Sequence, residues 1–396
     1  MLSLDKVFNA QTVLKSIIRE TNMVRAYGIA PDCELYLKPE NLQITGSFKV
    51  RGSAYKIAML SDEEKAKGVI ACSAGNHAQG VALAATKNGI KSLICLPDSA
   101  PISKVEATKG FGADVCLVEG CYDDAYQKAL ELKDSEGYTF VHPFDDENVI
   151  AGQGTIALEI LSELDDIDAV VVPIGGGGLI SGIAYTVKQI RPSVKVYGVQ
   201  VAGAPSMFNS INNGEIECLS SVSTIADGIA VKKPGENTYA LVKEYVDEIA
   251  LVSDDEVASA ILALVEKQKM IAEGAGATAV AAVMFNKFDL KGKRVAAVVS
   301  GGNIDVTSLS RVIDRGLRNS GRSSSLLIEL IDKPGQLKEI SRIIADCGGN
   351  VTGVHYEKGN TESVHGCFLR IEMETRDYMH VNLITRTLRD EGFKLV

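Results

Sequence analysis

One pattern limits what this chain can fold into more than any other. Through its middle, a short apolar run, a turn containing glycine or asparagine and an amphipathic stretch follow one another repeatedly. Residues 68–72, 91–96 and 114–118 read as strands, and 80–88, 103–111 and 122–135 as the helices between them. Further on, 169–174 and 194–201 are strands with a helix over 179–190 between them, and 294–299 is a late strand. The strands are nearly continuous apolar runs rather than alternating ones, as in a parallel sheet covered on both faces. Strand, helix, strand in series means α/β architecture.

The pattern breaks at Arg318-Asn319-Ser320-Gly321-Arg322-Ser323-Ser324-Ser325, which is polar, and 319–324 reads as a linker. Beyond it, 325–331 is a strand and Asp332-Lys333-Pro334-Gly335 a turn. Residues 336–347 form a helix with Leu337, Ile340, Ile343 and Ile344 on its apolar side. Strands at 351–356 and 365–373, a helix at 379–391 and a strand at 393–395 complete a βαββαβ order, the ferredoxin-like sandwich. The chain of 396 residues thus divides into 1–318, a linker, and 325–396.

A formal net charge of -10 argues against a nucleic-acid partner, which asks for a basic face. The eight cysteines contain no C-x-x-C spacing, and five scattered histidines supply no cluster, so no metal site is expected. Several cysteines sit inside apolar runs, as in Leu93-Ile94-Cys95-Leu96, and read as small buried hydrophobes. The N-terminal residues lack the basic start and apolar centre of a signal peptide, and no run of roughly 18 apolar residues exists. The expectation is a cytoplasmic protein without a membrane span.

Residues 168–174 run straight into Gly175-Gly176-Gly177-Gly178, and a helix follows from Leu179. Strand, glycine turn and helix start make an anion cup, where backbone N–H groups and the helix dipole favour a phosphate. The dinucleotide fingerprint fails in both registers, because the third glycine would fall at Ile180 or Ser181. A P-loop fails too, since Leu179 stands where a lysine should follow. Thr45-Gly46-Ser47-Phe48-Lys49-Val50-Arg51-Gly52 opens another helix, with Lys49 where the dipole disfavours a cation. Ser73-Ala74-Gly75-Asn76-His77 follows a strand and offers N–H groups, a hydroxyl and an amide suited to a carboxylate. Ser300-Gly301-Gly302-Asn303 caps the late strand. Ligands of open α/β sheets sit at such strand ends.

Taken in order, Ser-Phe-Lys-x-Arg-Gly, Ser-Ala-Gly-Asn-His, Gly-Gly-Gly-Gly-Leu and Ser-Gly-Gly-Asn resemble fold-type II pyridoxal-phosphate enzymes, most of all the threonine dehydratases (threonine ammonia-lyases). The resemblance covers nearly all of 1–318. It implies a tryptophan-synthase-β-like fold of two parallel-sheet subdomains, the smaller over roughly 48–150. It implies that Lys49 holds pyridoxal 5'-phosphate as an imine and moves protons once released. Phe48 would pack beside the ring, Asn76 would bond the ring hydroxyl oxygen, and Ser300 would meet the pyridine nitrogen. Gly175, Gly176, Gly177 and Gly178, with the Leu179 N–H, would hold the phosphate. Ser73, Ala74, Gly75 and His77 would form the substrate carboxylate loop. Glu273 would lie near ring and substrate, or else serve only as a helix-start acid.

The implied reaction is β-elimination from L-threonine, with L-serine as a slower substrate, in a homo-oligomer, a tetramer by resemblance. Serine dehydratases and serine racemases share these motifs. Racemisation needs a proton donor opposite the lysine, and the position that supplies it in racemases is Ala74 here. The racemase-type divalent site is also missing its carboxylates across 199–206. Residues 325–396 resemble an ACT domain, an amino-acid-sensing module, through Asp332-Lys333-Pro334-Gly335 and Gly349-Asn350-Val351. Its implied effector is isoleucine or valine, contacting Asp332, Gly335, Gln336, Leu337 and Asn350.

Overall fold

The computed structural model describes residues 2–357 and 366–396. The described chain forms two compact units, Met1–Leu309 and Ser310–Val396.

The first unit carries ten strands among the described residues: β1 (Val24–Arg25), β2 (Glu34–Pro39), β3 (Val69–Cys72), β4 (Ser92–Pro97), β5 (Asp114–Val118), β6 (Thr139–Phe140), β7 (Ala169–Pro173), β8 (Lys195–Val201), β9 (Glu248–Val252) and β10 (Arg294–Val299). They make two sheets. The larger has the order β1-β2-β10-β7-β8-β9, and all its pairs are parallel except the short β1–β2. The smaller, β5-β4-β3-β6, is parallel throughout and built entirely from the chain between β2 and β7. Val69, Ile70, Ala71 and Cys72 are all buried, as are all five residues of β7. That is why these strands read as unbroken apolar runs: helices cover both faces. Helices Glu147–Glu163 and Gly178–Ile190 seal the larger sheet through Ile156, Ile160, Ile180 and Ile183.

A buried ionic cluster ties the helix after β2 to the larger sheet and its covering helix. Arg51 is fully buried in helix Lys49–Ala58. Its guanidinium reaches Glu40 at 2.8 Å through both Nε and Nη2, and Glu159 at 2.5 and 2.8 Å through Nη1 and Nη2. Lys38, also fully buried, meets Glu159 at 2.6 Å and donates to the Thr21 carbonyl. Thr21 and Thr155 fill remaining positions on Glu40 and Arg51. Opposite charges and hydrogen bonds together offset the desolvation of each ion.

The second unit adds β11 (Ser323–Ile331), β12 (Asn350–Glu357), β13 (Gly366–Glu374) and β14 (Lys394–Leu395), with helices Gln336–Asp346 and Tyr378–Asp390. The antiparallel order β12-β13-β11-β14 is the expected βαββαβ sandwich. Ile328, Leu369 and Ile371 pack against Ile340, Ile344, Ile384 and Leu388. His365, expected to open the third strand, lies outside the described residues. The expected linker at 319–324 is shorter in the structure. Helix Val306–Asn319 runs into it, and β11 begins at Ser323. Gly321 and Arg322 N–H groups close the helix on the Arg318 and Leu317 carbonyls, so the polar run is a helix end and a strand start.

Truncating Arg51 would strip Glu40 of its guanidinium partner in the core and leave Glu159 to Lys38. Arg51→Ala should cost about 3–5 kcal/mol in denaturant unfolding. Arg51→Lys should recover little, because an ammonium cannot span two carboxylates in a planar fork.

Candidate active site

The residues singled out above converge at the C-terminal ends of both sheets. Where β10 ends, the turn from Ser300 is stitched to the loop before Lys49. Phe48 N–H donates to the Ser300 carbonyl at 3.0 Å, Gly302 N–H donates to the Gly46 carbonyl at 2.9 Å, and Ser47 bridges Gly301. Lys49 thereby becomes the first residue of its helix, with Nζ donating to the Pro143 carbonyl at 2.8 Å. Burial lowers the Lys49 ammonium to about 8, against an opposing pull from the Glu273 carboxylate. The Phe48 ring centroid lies 5.3 Å from Nζ.

The glycine run after β7 meets the same loop. Pro143 is followed by Phe144, which lies directly on the glycines. A Cβ on Gly176 would come within 2.4 Å of the Phe144 ring, and one on Gly178 within 2.8 Å of its carbonyl oxygen. Gly177, the helix N-cap, has φ +97°, which side chains resist. Thr238 Oγ1 donates to the Gly176 carbonyl at 2.6 Å and fixes the turn. Ser181 N–H bonds the Gly177 carbonyl at 2.9 Å. The N–H groups of Gly178, Leu179 and Ile180 precede that bond and have no intrahelical acceptor, which is the arrangement an anion needs.

On the other side, Ser73, Ala74 and Gly75 form a half-buried turn between β3 and helix Asn76–Lys87. Ser73 Oγ accepts the Gly75 N–H at 3.1 Å. Asn76 Nδ2 donates to Glu273 Oε1 at 2.6 Å, and Asn76 Oδ1 accepts from Asn303 Nδ2 at 2.8 Å. Glu273 stands at the N-cap of helix Gly274–Met284, but its side chain makes no capping bond and turns to Asn76 instead. It is not a mere helix-start acid. Burial raises its carboxyl to about 7, and Asp227 adds to the effect. A Cβ on Gly301 would lie 2.3 Å from Glu273 Oε1, so this glycine admits the carboxyl. The Ser300 hydroxyl, on a residue 3% exposed, donates to the Ala275 carbonyl at a long 3.4 Å.

His77 keeps its backbone at the turn but not its ring. The first helical turn points its ring inward, with Nε2 2.8 Å from the Val141 carbonyl and Nδ1 3.4 Å from Ser53 Oγ. Burial depresses it to about 3, so it stays neutral as a scaffold side chain, leaving only its backbone for the loop. Pro143, Phe144 and Asn303 were missed. Pro143 acts through its carbonyl, which no sequence pattern marks. Phe144 matters because Asp145 ties its loop to the Glu236 and Thr238 N–H groups. Asn303 was visible as the last member of its motif, without a role.

A separate, partly open cavity of about 480 Å³ lies in the second unit. Asp332, Gly335, Gln336 and Leu337 line it together with Leu330, Val354, Tyr356, Cys367 and Leu369. Asn350 does not. It opens β12 and donates to Glu374 at 2.8 Å, whereas the cavity touches that strand further along, at Val354 and Tyr356. Another cavity, about 350 Å³, is lined by Asp32, Cys33 and Lys291 at the N-terminal ends of β2 and β10, the edge opposite Lys49.

Comparison with known proteins accords with this geometry. Residues 14–301 match the family described as pyridoxal-phosphate dependent enzyme. The L-threonine ammonia-lyase of Thermotoga maritima is 49% identical over 398 residues, taking in 100% of this chain and 99% of that protein. The processed form of threonine deaminase isoform 2 from Solanum lycopersicum superposes with a TM-score of 0.75 at 38% identity, covering 79% of this chain and 89% of that one. Maize serine racemase does so with a TM-score of 0.75 at 33% identity, covering 80% and 98%.

Glu273 carries a pH signature. A carboxyl raised from 4.5 to about 7 binds its proton more tightly folded than unfolded. The stability this gives is present below pH 4.5 and lost as pH rises through 7. With each pH unit worth about 1.4 kcal/mol, Glu273→Gln should stabilise the protein at pH 8 relative to pH 5 by on the order of 2–3 kcal/mol, read from unfolding midpoints.

Proposed function

The chain belongs to the threonine ammonia-lyase family of pyridoxal-phosphate-dependent enzymes, and from that premise we propose that it converts L-threonine to 2-oxobutanoate and ammonia. The supporting observation is Lys49: a primary amine lowered to about 8, bonded to the Pro143 carbonyl beside Phe144, which sits on a glycine cradle that side chains would fill. That pairing of amine and anion site fits an aldehyde bearing a phosphate. Gly175, Gly176, Gly177, Gly178 and the Leu179 N–H would take the phosphate. Asn76 would face the ring hydroxyl, Phe48 the ring edge, and Ser300 the ring nitrogen. When bound, the cofactor supplies an electron sink for charge developing at Cα.

The protein residues do the rest. The turn at Ser73, Ala74 and Gly75, at the start of helix Asn76–Lys87, orients the substrate carboxylate. Lys49, with its amine lowered to about 8, takes the Cα proton near neutral pH. The neutral Ser300 hydroxyl, where a carboxylate would enforce a proton on the ring nitrogen, selects β-elimination over transamination. Glu273, poised near 7, holds Asn76 and exchanges protons beside the leaving hydroxyl. Aminocrotonate leaves, tautomerises and hydrolyses to 2-oxobutanoate and ammonia. Ala74 has no proton to return on the opposite face, which disfavours racemisation despite the likeness to maize serine racemase. L-serine serves as a slower substrate by the same route.

The second unit acts as an ACT-type sensor. Its cavity joins the Asp332 carboxylate to apolar Leu330, Val354 and Leu369, suited to the ammonium and branched side chain of isoleucine or valine. We further place the enzyme in the cytoplasm as a homotetramer. No helix among the described residues is long and apolar enough to cross a membrane.

Two experiments test this reading. Threonine added to the cofactor-loaded protein should release 2-oxobutanoate and ammonia in equal amounts. Lys49→Ala should fall to background, and residual full activity would refute the assignment. Isoleucine should slow the reaction and raise the melting temperature, by about 2.7 kcal/mol of stability at a hundredfold excess over Kd. A titration moving neither rate nor melting temperature removes the feedback role.

A further inference from the structure

A row of thiols crosses the small sheet. The β3–β4 register sets Cys72 opposite Cys95, and the β4–β5 register sets Cys95 opposite Cys116. In-register residues of neighbouring strands turn to the same face, so the three thiols stand side by side. Helix Tyr122–Glu136 covers them through Ala125 and Ala129. They are not equivalent. Cys72 and Cys95 are buried, whereas Cys116 is half-buried on β5, an edge strand. Cys72 Sγ donates to the Tyr122 carbonyl at 3.9 Å, whereas Cys95 and Cys116 face one another across the β4–β5 ladder. Burial holds the Cys95 thiol up at about 12, so its proton leaves only as a displaced hydroxide takes it up. The Lys128 ammonium, paired with Glu131 at 3.1 Å on the covering helix, lies close to both sulfurs.

We propose that Cys95 and Cys116 form a reversible dithiol, in which Cys116 meets a peroxide and Cys95 resolves it. The Cys116 thiolate attacks one peroxide oxygen, the O–O bond breaks, and the departing hydroxide takes up a proton as water. Cys95 sulfur then attacks the resulting sulfenic acid. An S–S bond forms, and the expelled hydroxide leaves as a second water with the Cys95 proton. Two thiols are oxidised and one peroxide is reduced.

The pair is close enough, since adjacent strands lie about 4.8 Å apart and disulfides accept Cα separations of about 4.4–6.8 Å. It is not ideal. A disulfide asks for Cβ atoms about 3.8 Å apart, less than the roughly 4.8 Å spacing of neighbouring strands. Closure therefore draws β4 toward β5 and leaves a bond that thiols reduce readily. That movement reaches the candidate site directly, because the Cys95 carbonyl accepts the Ser73 N–H at 3.3 Å. Oxidation pulls on the anchor of the turn assigned to the substrate carboxylate.

The test treats the cofactor-loaded enzyme with hydrogen peroxide, maps its peptides and measures threonine kinetics. The expected result is a linked Cys95–Cys116 peptide, lighter by two hydrogens, together with a several-fold rise in KM; dithiothreitol reverses both. Cys116→Ser should show neither change, while Cys121→Ser responds as the parent does. Thiols at both positions that remain free to alkylation after peroxide overturn the proposal, as does an unchanged KM response in Cys116→Ser. The coupling to threonine rests on the proposed function. The linked peptide does not, so the two can fail separately.

Discussion

A guanidinium shut away from water governs this architecture. Arg51 lies two residues beyond Lys49 on the same helix, and its two carboxylate partners come from different places. Glu40 directly follows β2, and Glu159 sits on the helix that covers the larger sheet. One side chain thus fixes the lysine-bearing helix to the end of a strand and to the packing layer behind it. Burying such charges seldom adds stability over an apolar core, but it tolerates only one geometry. The lysine amine, one helical turn away at most, inherits that geometry.

Around this anchor the site is assembled chiefly from backbone. Six chain segments meet there: the loop before Lys49, the turn after β3, the loop after β6, the glycine run after β7, the turn after β10, and the start of helix Gly274–Met284. They are bound to each other by peptide groups, as in Phe48 to Ser300, Gly302 to Gly46 and Glu273 to Gly301. A parallel sheet points these ends the same way, and helix starts there leave N–H groups over for anionic ligands. Side chains enter sparingly. Asn76, Glu273 and Asn303 make one connected polar cluster, and the enclosed setting moves Lys49 and Glu273 toward the same neutral range.

Much of this could be read from sequence because fully buried strands announce themselves as apolar runs and glycines announce close approach. The glycine cradle and the turn at Ser73 were legible on those grounds alone. Lys49 was not: a lysine at a helix start has many uses, and only its company in four ordered motifs singled it out. The Pro143 carbonyl and the seat of Phe144 on Gly176 were invisible, since a peptide oxygen has no residue signature and the contact joins segments far apart in sequence. Motif membership fixed the backbone place of His77 but not its ring, which the helical turn rotates to Val141. Asn350 likewise belongs to a recognisable turn, whereas the cavity opens at the far end of its strand.

The central claim is that Lys49 is the amine that carries the cofactor. Saturating the protein with pyridoxal phosphate, reducing it with borohydride and mapping the peptides tests it directly. A pyridoxyl mass on Lys49, and on no other lysine in substantial yield, is the result this structure predicts. The same mass on a different lysine, or none after saturation, would contradict it.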